Sequence, residues 1–504
     1  MSDTALRGAE ADTSAVLGIV DGLVTYARAN LLLDPRDEDW MRNRMLELFN
    51  ANEELCSRAD LLAKGLPENV PEALLNDDEV MGALSALPSR VEDEFGRLRA
   101  VEGGMEAMQW LYDYGVANGY IKLAQLNRNI RFNSAGLVVT INTAKPEFTD
   151  MRKAARGNSV GGSFAQCTIC HANEGLASRD KRTLRTAQVE LDGSPWFWQF
   201  SPYGYFRQHG ICVNREHTPM HVDESTFRHL LDFVSQFPGY FLGCNAALPR
   251  IGGSVLAHDH YQGGGEVMPM QRAVAWKRFL LPEADDAVLE IVDWPATALR
   301  IRSRNSAQIV RIAELIRGVW SCYDNADLGI ASHGDAGEAQ SSVSPIARLI
   351  SEGDGSSSYS YEMSLILRNN AVSEQYPLGV FHAHPEYFFI KQEPIGLIEA
   401  MGLFVLPGRL VTQLGELERA LLAGDALPGN LAEFRLAWDE VRADLGEQAV
   451  PDEYAVREAL RREVAGICRR ILGNIAVFPG HAETGGFLRE LGFVPLSDGA
   501  PGED

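Results

Sequence analysis

Two histidines and a glutamine alternate along one short segment of the chain. The segment reads AHDHYQ and places His258, His260 and Gln262 two positions apart. In an extended chain alternate side chains point to the same face, so the spacing predicts two imidazoles and an amide on one face. A neutral imidazole can attack a phosphoanhydride and then leave again, and an amide can donate to phosphoryl oxygens. The alternative is that the histidines are structural residues on the polar face of a strand.

The residues around this segment favour the close approach of a bulky anionic group. Three glycines (263–265) follow the segment directly. Glycine permits tight turns whose backbone N–H groups are exposed to a ligand. The candidate substrate contacts on the amino-terminal side are Asn245, Gly252, Gly253 and Ser254.

The charge of the chain restricts what it can bind. A formal net charge of −23 and a pI near 5.0 oppose binding to nucleic acid or to an anionic membrane surface. A small phosphorylated substrate remains compatible, because a few local cations can hold phosphate groups. The candidate cations are Arg348, Arg368 and Lys391, and each could equally be a solvated surface charge.

A cysteine pair is the second feature with possible chemistry. Cys167 and Cys170 form a C-x-x-C pair, which needs two further ligands to complete a tetrahedral zinc site. His217 and His258 are the candidates, although His171 and Cys212 also lie near in sequence. The alternative is a tight turn without metal. We predict a possible Zn²⁺ site and no organic cofactor.

The remaining composition indicates an ordinary globular protein of the cytoplasm. The chain has 504 residues, 45% of them hydrophobic, which is enough for two or more packed halves. Seven cysteines are too few for a disulfide scaffold. The amino terminus lacks a basic signal region, and no apolar run is long enough to cross a membrane.

Hydrophobic periodicity predicts helices first and a mixed region afterwards. Residues 1–129 read as a helical amino-terminal region, with helices over 13–33, 41–50, 71–87 and 106–125. Strands are predicted at 137–141, 188–191, 196–200, 210–213 and 240–244, with a helix at 225–237. We assign 130–300 to a first α/β unit and 301–504 to a second unit with carboxy-terminal helices.

The second unit shows a weak echo of the first. Its predicted elements are a helix at 307–320, strands at 362–367 and 379–384, and helices at 395–401, 431–445 and 456–472. Residues 334–358 are rich in Gly, Ser and Asp and predict a long surface loop. His382 and His384 repeat the H-x-H spacing after an apolar run, which a duplication could leave. These two histidines could be ligands, phosphate contacts or core residues.

The segment Phe237–Gly265, reading FPGYFLGCNAALPRIGGSVLAHDHYQGGG, resembles the active-site region of class II galactose-1-phosphate uridylyltransferases. Similar stretches extend from Leu87 to Leu410. They include TIN (140–142), PWF (195–197), SPIAR (344–348), LRNN (367–370) and IGLIE (395–399). The chain departs from the family pattern at Ala257 and Tyr261. It also departs at Gln340, Phe388 and Phe389, and at these three positions relatives often carry histidines.

The resemblance implies an α+β fold: two HIT-like α/β units with antiparallel sheet, preceded by the helical region. It implies a homodimer and a ping-pong reaction in which His260 takes a uridylyl group from UDP-glucose and passes it to galactose 1-phosphate. Gln262 would then hydrogen-bond the phosphoryl group, and His258 would brace the site, alone or through zinc. The competing hypotheses are a dinucleoside polyphosphate phosphorylase and a catalytically silent nucleotide-sugar binding protein.

Overall fold

The structure is a computed structural model that describes residues 3–51, 72–143, 165–252, 255–284, 286–351, 359–446 and 452–496. It contains two compact units. Unit 1 comprises residues 1–123, 160–190 and 195–204, and unit 2 comprises 124–159, 191–194 and 205–504. The division into 1–129, 130–300 and 301–504 stays a proposal. Among the described helices, none has the length and apolar content to span a membrane.

The described elements are helices up to residue 126 and a mixture of strands and helices from residue 130 onward. The α-helices are Asp3–Asn30, Glu38–Ala51, Glu72–Leu75, Asp78–Leu84, Pro88–Val101, Gly104–Ala117, Leu123–Leu126, Glu224–Gln236, Pro269–Arg272, Ser306–Trp320, Leu397–Ala400, Arg409–Ala423, Arg435–Leu445, Glu453–Asn474 and His481–Glu490. The strands are β1 (Ile130–Ser134), β2 (Leu137–Asn142), β3 (Ala187–Leu191), β4 (Ser194–Phe200), β5 (Gly210–Asn214), β6 (Phe241–Gly243), β7 (His260–Gly264), β8 (Ala275–Leu280), β9 (Ala287–Val292), β10 (Ala298–Ser303), β11 (Ser341–Ser351), β12 (Tyr359–Asn369), β13 (Leu403–Pro407) and β14 (Val494–Pro495).

The described residues of unit 1 up to residue 117 are mainly helical, as predicted. Its helices are held by buried polar contacts as well as apolar packing: the Tyr26 hydroxyl donates to Ala117 O at 2.7 Å. The Asn118 side chain donates to Thr183 O at 2.7 Å, and its own oxygen accepts from the Tyr120 N–H. A buried amide that satisfies both donors and acceptors in this way fixes the path of the chain that it crosses.

Unit 2 is built on an antiparallel sheet whose topology repeats. Nine described strands of this sheet lie in unit 2, in the order β14-β8-β9-β10-β12-β11-β6-β7-β5. In one repeat a strand (β5), a helix, and two strands (β6, β7) follow in sequence, and β7 lies between β5 and β6. In the other repeat β10, a helix, β11 and β12 follow in the same way, and β12 lies between β10 and β11. The fold is therefore α+β, and this topology is consistent with duplicated HIT-like units.

The helix of the first repeat begins at a strong sequence signal. Asp223 is its N-cap and accepts from the N–H groups of Ser225 and Thr226, while Thr226 Oγ1 accepts in return from the Asp223 N–H. The buried face of the helix includes Phe227 and Phe233 and packs on β6 and β11. This helix therefore covers one face of the sheet.

Two predicted elements are wrong. Residues 334–358 are not a loop throughout, because Ser341–Ser351 forms β11 between β6 and β12; residues 352–358 lie outside the described part. The composition of this segment suggested turns, but pairing with strands on both sides satisfies the hydrogen-bonding groups of its backbone. Residues 379–384 are not a strand: Gly379 has φ +142°, and His384 donates to Val380 O at 3.2 Å. The second H-x-H is therefore not on β12, the counterpart of β7, and it does not support duplication.

Candidate active site

Strand β7 places His260 and Gln262 on the face of the sheet opposite the helix 224–236. The Tyr261 hydroxyl lies 2.9 Å from Nδ1 of His229 on that helix, so Tyr261 faces the helix. Neighbouring strand residues point to opposite faces, and His260 and Gln262 therefore face the other way. Only part of the predicted extended segment is strand, because residues 256–258 form a turn and a bend before β7 begins.

The geometry of His260 leaves one ring nitrogen available. Its Nδ1 lies 2.8 Å from the carbonyl oxygen of His258, which can only accept a hydrogen bond. Nδ1 therefore carries the proton, and in the neutral ring Nε2 carries the lone pair. The residue is 8% exposed, and burial lowers the pKa of His260 below its usual value. His260 is thus a neutral imidazole oriented by its own backbone.

His258 has the opposite tautomer. Its Nε2 donates to the carbonyl oxygen of Asn214 at 2.8 Å, so the lone pair of the neutral ring is on Nδ1. Burial lowers the pKa of His258 to about 4, and the ring centroid lies 4.5 Å from that of His217. A neutral imidazole fixed by a carbonyl on its far nitrogen is the usual state of a metal-binding histidine.

The predicted cysteine pair is a compact turn. The two sulfurs of Cys167 and Cys170 lie 3.4 Å apart, and the Cys167 N–H donates to Cys170 Sγ at 3.4 Å. Burial raises the pKa of Cys167 to about 11, so the thiolate needs a nearby positive charge to form. Cys167 and Cys170 lie in unit 1, and His217 and His258 lie in unit 2.

The four predicted ligands have donor chemistry that fits a zinc ion. Two thiolates and two neutral imidazoles are a common donor set of structural zinc sites. Cys212, an alternative ligand in the sequence, pairs with Tyr261 across β5 and β7 and therefore faces the helix side of the sheet. His171 lies elsewhere, with its ring on Phe197.

Asn245 and Gly252 both connect the region before β7 to the start of the helix Leu397–Ala400. Asn245 Oδ1 accepts from the Leu397 N–H at 3.0 Å. Gly252 has φ +68°, and a Cβ there would lie 2.4 Å from Gly396 Cα. Only glycine fits such a backbone contact. The predicted contacts Gly253 and Ser254 lie outside the described residues.

The three candidate cations differ in how much of their hydrogen-bonding capacity the protein uses. Arg348 donates to Glu362 and to Gln271 O. Lys391 donates to Glu393 and to Val405 O and pairs with Glu399 at 2.6 Å; these carboxylates outweigh burial and keep its pKa above the usual value.

Arg368 is different. Its Nη2 donates to Ile395 O at 2.7 Å, whereas Nη1 has no acceptor among the described residues. Burial lowers the pKa of Arg368 to about 10, and Glu399 opposes this shift. Among the three candidate cations, Arg368 is therefore the one with a hydrogen-bond donor that no described residue uses.

Glu362 is the centre of a buried ionic cluster on the sheet face that carries His260. Arg348 pairs with Phe241, which pairs with Gly264, so Arg348 and its partner Glu362 share the face of His260. Glu362 is 1% exposed and lies 2.6 Å from Arg348 Nε and 2.8 Å from Arg302 Nη2. Burial alone would raise its pKa, but the arginines outweigh burial and hold the pKa of Glu362 below its usual value. Sequence reading missed this residue, because no local pattern marks a cross-strand cluster.

We expect Glu362→Gln to destabilise the protein by about 3–5 kcal/mol, since it leaves buried guanidinium groups without their shared carboxylate. Denaturant titration would show a lower unfolding midpoint, whereas Glu374→Gln, at an exposed position, would leave it unchanged. Because the folded-state pKa is lowered, this stabilisation is present at neutral pH and is lost as the pH falls through that pKa. Equal midpoints for both variants would contradict a stabilising cluster.

His382 and His384 are held by the protein. His382 Nδ1 lies 2.9 Å from Ala383 O, and burial lowers the pKa of His382. His384 stacks on Tyr376 at 4.0 Å between ring centroids and contacts the Asn474 side chain at 3.1 Å. Neither belongs to a group of described residues that could hold a metal. These contacts favour the interpretation of the pair as core residues.

Comparison with known proteins supports the resemblance seen in the sequence. Residues 233–439 match the family model described as galactose-1-phosphate uridyl transferase, C-terminal domain. A galactose-1-phosphate uridylyltransferase from Bifidobacterium longum is 52% identical, over 95% of this chain and 98% of that protein. Proteins of the same name from Clostridium acetobutylicum (80% of this chain, 84% of that protein) and Caldanaerobacter subterraneus (95% and 98%) are 36% and 30% identical. No solved structure matches the chain significantly.

Proposed function

The chain belongs to the galactose-1-phosphate uridylyltransferase family, and from this premise we propose that it exchanges UMP between UDP-glucose and galactose 1-phosphate through a uridylyl group on His260. The observation that carries this proposal is the tautomer of His260, whose Nδ1 proton is held by His258 O. Nε2 is thereby left as a nucleophile. The related galactose-1-phosphate uridylyltransferases support the reaction, and the geometry of β7 supports His260 as its nucleophile.

Two displacements at phosphorus complete the exchange. In the first, Nε2 of His260 forms a bond to the α-phosphorus of UDP-glucose, and the bond to the glucose 1-phosphate oxygen breaks. In the second, a phosphate oxygen of galactose 1-phosphate attacks the same phosphorus, the P–N bond breaks, and UDP-galactose leaves. His260 keeps its Nδ1 proton throughout, so no separate base is required. Gln262, on the same face, donates to the phosphoryl oxygens.

The substrate phosphates are proposed to lie against Asn245, Gly252, Gly253 and Ser254. The close approach of Gly252 to Gly396 supports a loop shaped by backbone rather than by side chains. Of the proposed cations, Arg368 has the strongest support because its Nη1 is not used within the described part of the chain. Arg348 and Lys391 would act from their ion pairs.

We propose that Zn²⁺ binds Cys167, Cys170, His217 and His258. A bound zinc ion would supply a rigid structural link rather than a reacting group, since four protein ligands close its coordination shell. His258 is important to this role because its carbonyl oxygen orients His260. His258 therefore acts as a positioning residue, through its backbone and its imidazole together.

The biological setting is also a proposal. A net charge of −23 supports a protein without nucleic-acid partners. The sequence resemblance supports a homodimer, and the proposed location is the cytoplasm. The assay described next determines which hexose 1-phosphate the protein prefers.

Incubation with UDP-glucose labelled in the uridylyl half tests the reaction. We expect acid-labile label on the protein and release of about one glucose 1-phosphate per active site. Addition of galactose 1-phosphate should then release the label as UDP-galactose, and a panel of sugar 1-phosphates gives the preference. Faster turnover of diadenosine polyphosphates would favour the phosphorylase. A raised melting temperature with UDP-glucose, without exchange, would favour a silent binding protein.

A further inference from the structure

The turn that carries Cys167 and Cys170 is held by two polar side chains that follow it in sequence. Asn173 Nδ2 donates to the carbonyl oxygens of both cysteines, to Cys167 O at 2.8 Å and to Cys170 O at 2.9 Å. Asn173 has no solvent exposure. One amide therefore uses both of its hydrogens on the backbones of two neighbouring thiol residues.

Arg179 orients that amide. Its Nη1 donates to Asn173 Oδ1 at 2.8 Å and to Cys167 O at 3.1 Å, and its Nη2 donates to Ala165 O at 3.2 Å. The guanidinium fixes Asn173 with its oxygen toward the arginine and its NH2 group toward the cysteine carbonyls. The rigid fork of arginine can span these three acceptors, whereas the single ammonium of lysine cannot.

These contacts fix the peptide groups of the two cysteines and so restrict the positions of their sulfurs. Cys167 and Cys170 are both buried, so their carbonyl oxygens need hydrogen-bond donors from the protein. Asn173 and Arg179 supply those donors. Arg179 also places a positive charge beside the peptide of Cys167, where metal binding requires a thiolate.

We propose that Asn173 and Arg179 are positioning residues that preorganise the cysteine turn for metal, so that they govern how long a zinc ion stays bound. This inference rests on the proposed zinc site. It concerns only the shape of the turn, which the two side chains set before metal binds. Partners that orient metal ligands typically change metal affinity by about 10- to 100-fold when they are removed.

The test measures metal release from the full-length protein. Zinc-loaded wild type, Asn173→Asp, Arg179→Ala and Arg179→Lys are mixed with excess chromogenic chelator below the melting temperature of each. Asn173→Asp keeps the size of the side chain but replaces the NH2 donors with negative charge. We expect it to release zinc about 10- to 100-fold faster than wild type, with Arg179→Ala also faster and Arg179→Lys between Arg179→Ala and wild type.

Arg185→Ala is the matched control. Arg185 is also half-buried in unit 1 and donates to three backbone carbonyls outside the turn, those of Ala86, Arg182 and Leu184. We expect it to lower the melting temperature without faster zinc release. Cobalt-loaded Asn173→Asp should keep the sulfur-to-cobalt charge-transfer band, because its ligands are unchanged.

The outcomes separate the two proposals. Release from Asn173→Asp and Arg179→Ala at the wild-type rate, or no faster than from Arg185→Ala, overturns the positioning role and leaves the zinc site standing. A wild-type protein that retains neither zinc nor cobalt overturns the metal site and this role with it, while the uridylyl-labelling assay still reports separately on His260.

Discussion

Replacement of His260 by alanine is expected to reduce uridylyl exchange by roughly 10⁴- to 10⁶-fold, the loss seen when the nucleophile of a covalent mechanism is removed. The variant should bind UDP-glucose but take up no label, since the proposed acceptor of the uridylyl group is removed. His260→Asn is a sharper version, because an asparagine NH2 can still donate to His258 O and preserve the local hydrogen bond. Label uptake and glucose 1-phosphate release, measured in a single turnover, check both variants.

His333→Ala provides the control for the loss of a histidine. His333 is exposed, and its Nδ1 lies 3.0 Å from the adjacent Ser332 Oγ, so full exchange and labelling are expected. If His260→Ala or His260→Asn still took up label stoichiometrically, His260 would not be the acceptor and the proposed route through it would be wrong. Unchanged melting temperatures with UDP-glucose bound would show that the loss is chemical rather than structural.

The elements that sequence reading predicted well are those whose signal is local. The helix Glu224–Gln236 has its capping residue and its apolar face in one stretch of sequence, and the predicted range of 225–237 is almost the same. The helix Ser306–Trp320 is a similar case. The prediction of a loop at β11 was wrong because this strand is stabilised by pairing with β6 and β12. Strand β6 lies about 100 residues before β11, and β12 lies directly after it. Long-range pairing leaves little trace in composition.

At the candidate site too, sequence reading predicted the local features and missed those that depend on the fold. The spacing of His260 and Gln262 was enough to predict that they share a face, because alternation is a property of any strand. The spacing could not show that His260 is oriented by His258 O or that His258 is held by Asn214 O, since every residue has a carbonyl group. Nor could it separate Arg368, whose Nη1 has no acceptor among the described residues, from Arg348 and Lys391, which are engaged by carboxylates.

The second large effect is expected at Gln262. Its neighbours across the sheet are Gly243 and Ile211, which offer no side-chain hydrogen bonds, so its amide is available to a ligand on the His260 face. Gln262→Ala should lower kcat by about 10²- to 10³-fold, as does the loss of a single donor to a developing oxyanion. The KM for UDP-glucose should change less, because the donor acts mainly on the charge that develops during transfer.

Tyr261→Phe is the matched control, because Tyr261 is the next residue on the same strand and faces the opposite side. It removes the hydroxyl that contacts His229 and should reduce stability while kcat is retained. Gln262→Glu should be slower than Gln262→Ala, since a carboxylate near the phosphoryl oxygens repels charge where the amide would stabilise it. Single-turnover rates of label uptake and of label release, measured for all three variants, give the comparison for each half-reaction. A wild-type rate in Gln262→Ala together with a slow Tyr261→Phe would reverse the assignment of the two faces, because the face that carries the chemistry must be the one whose side chains change the rate.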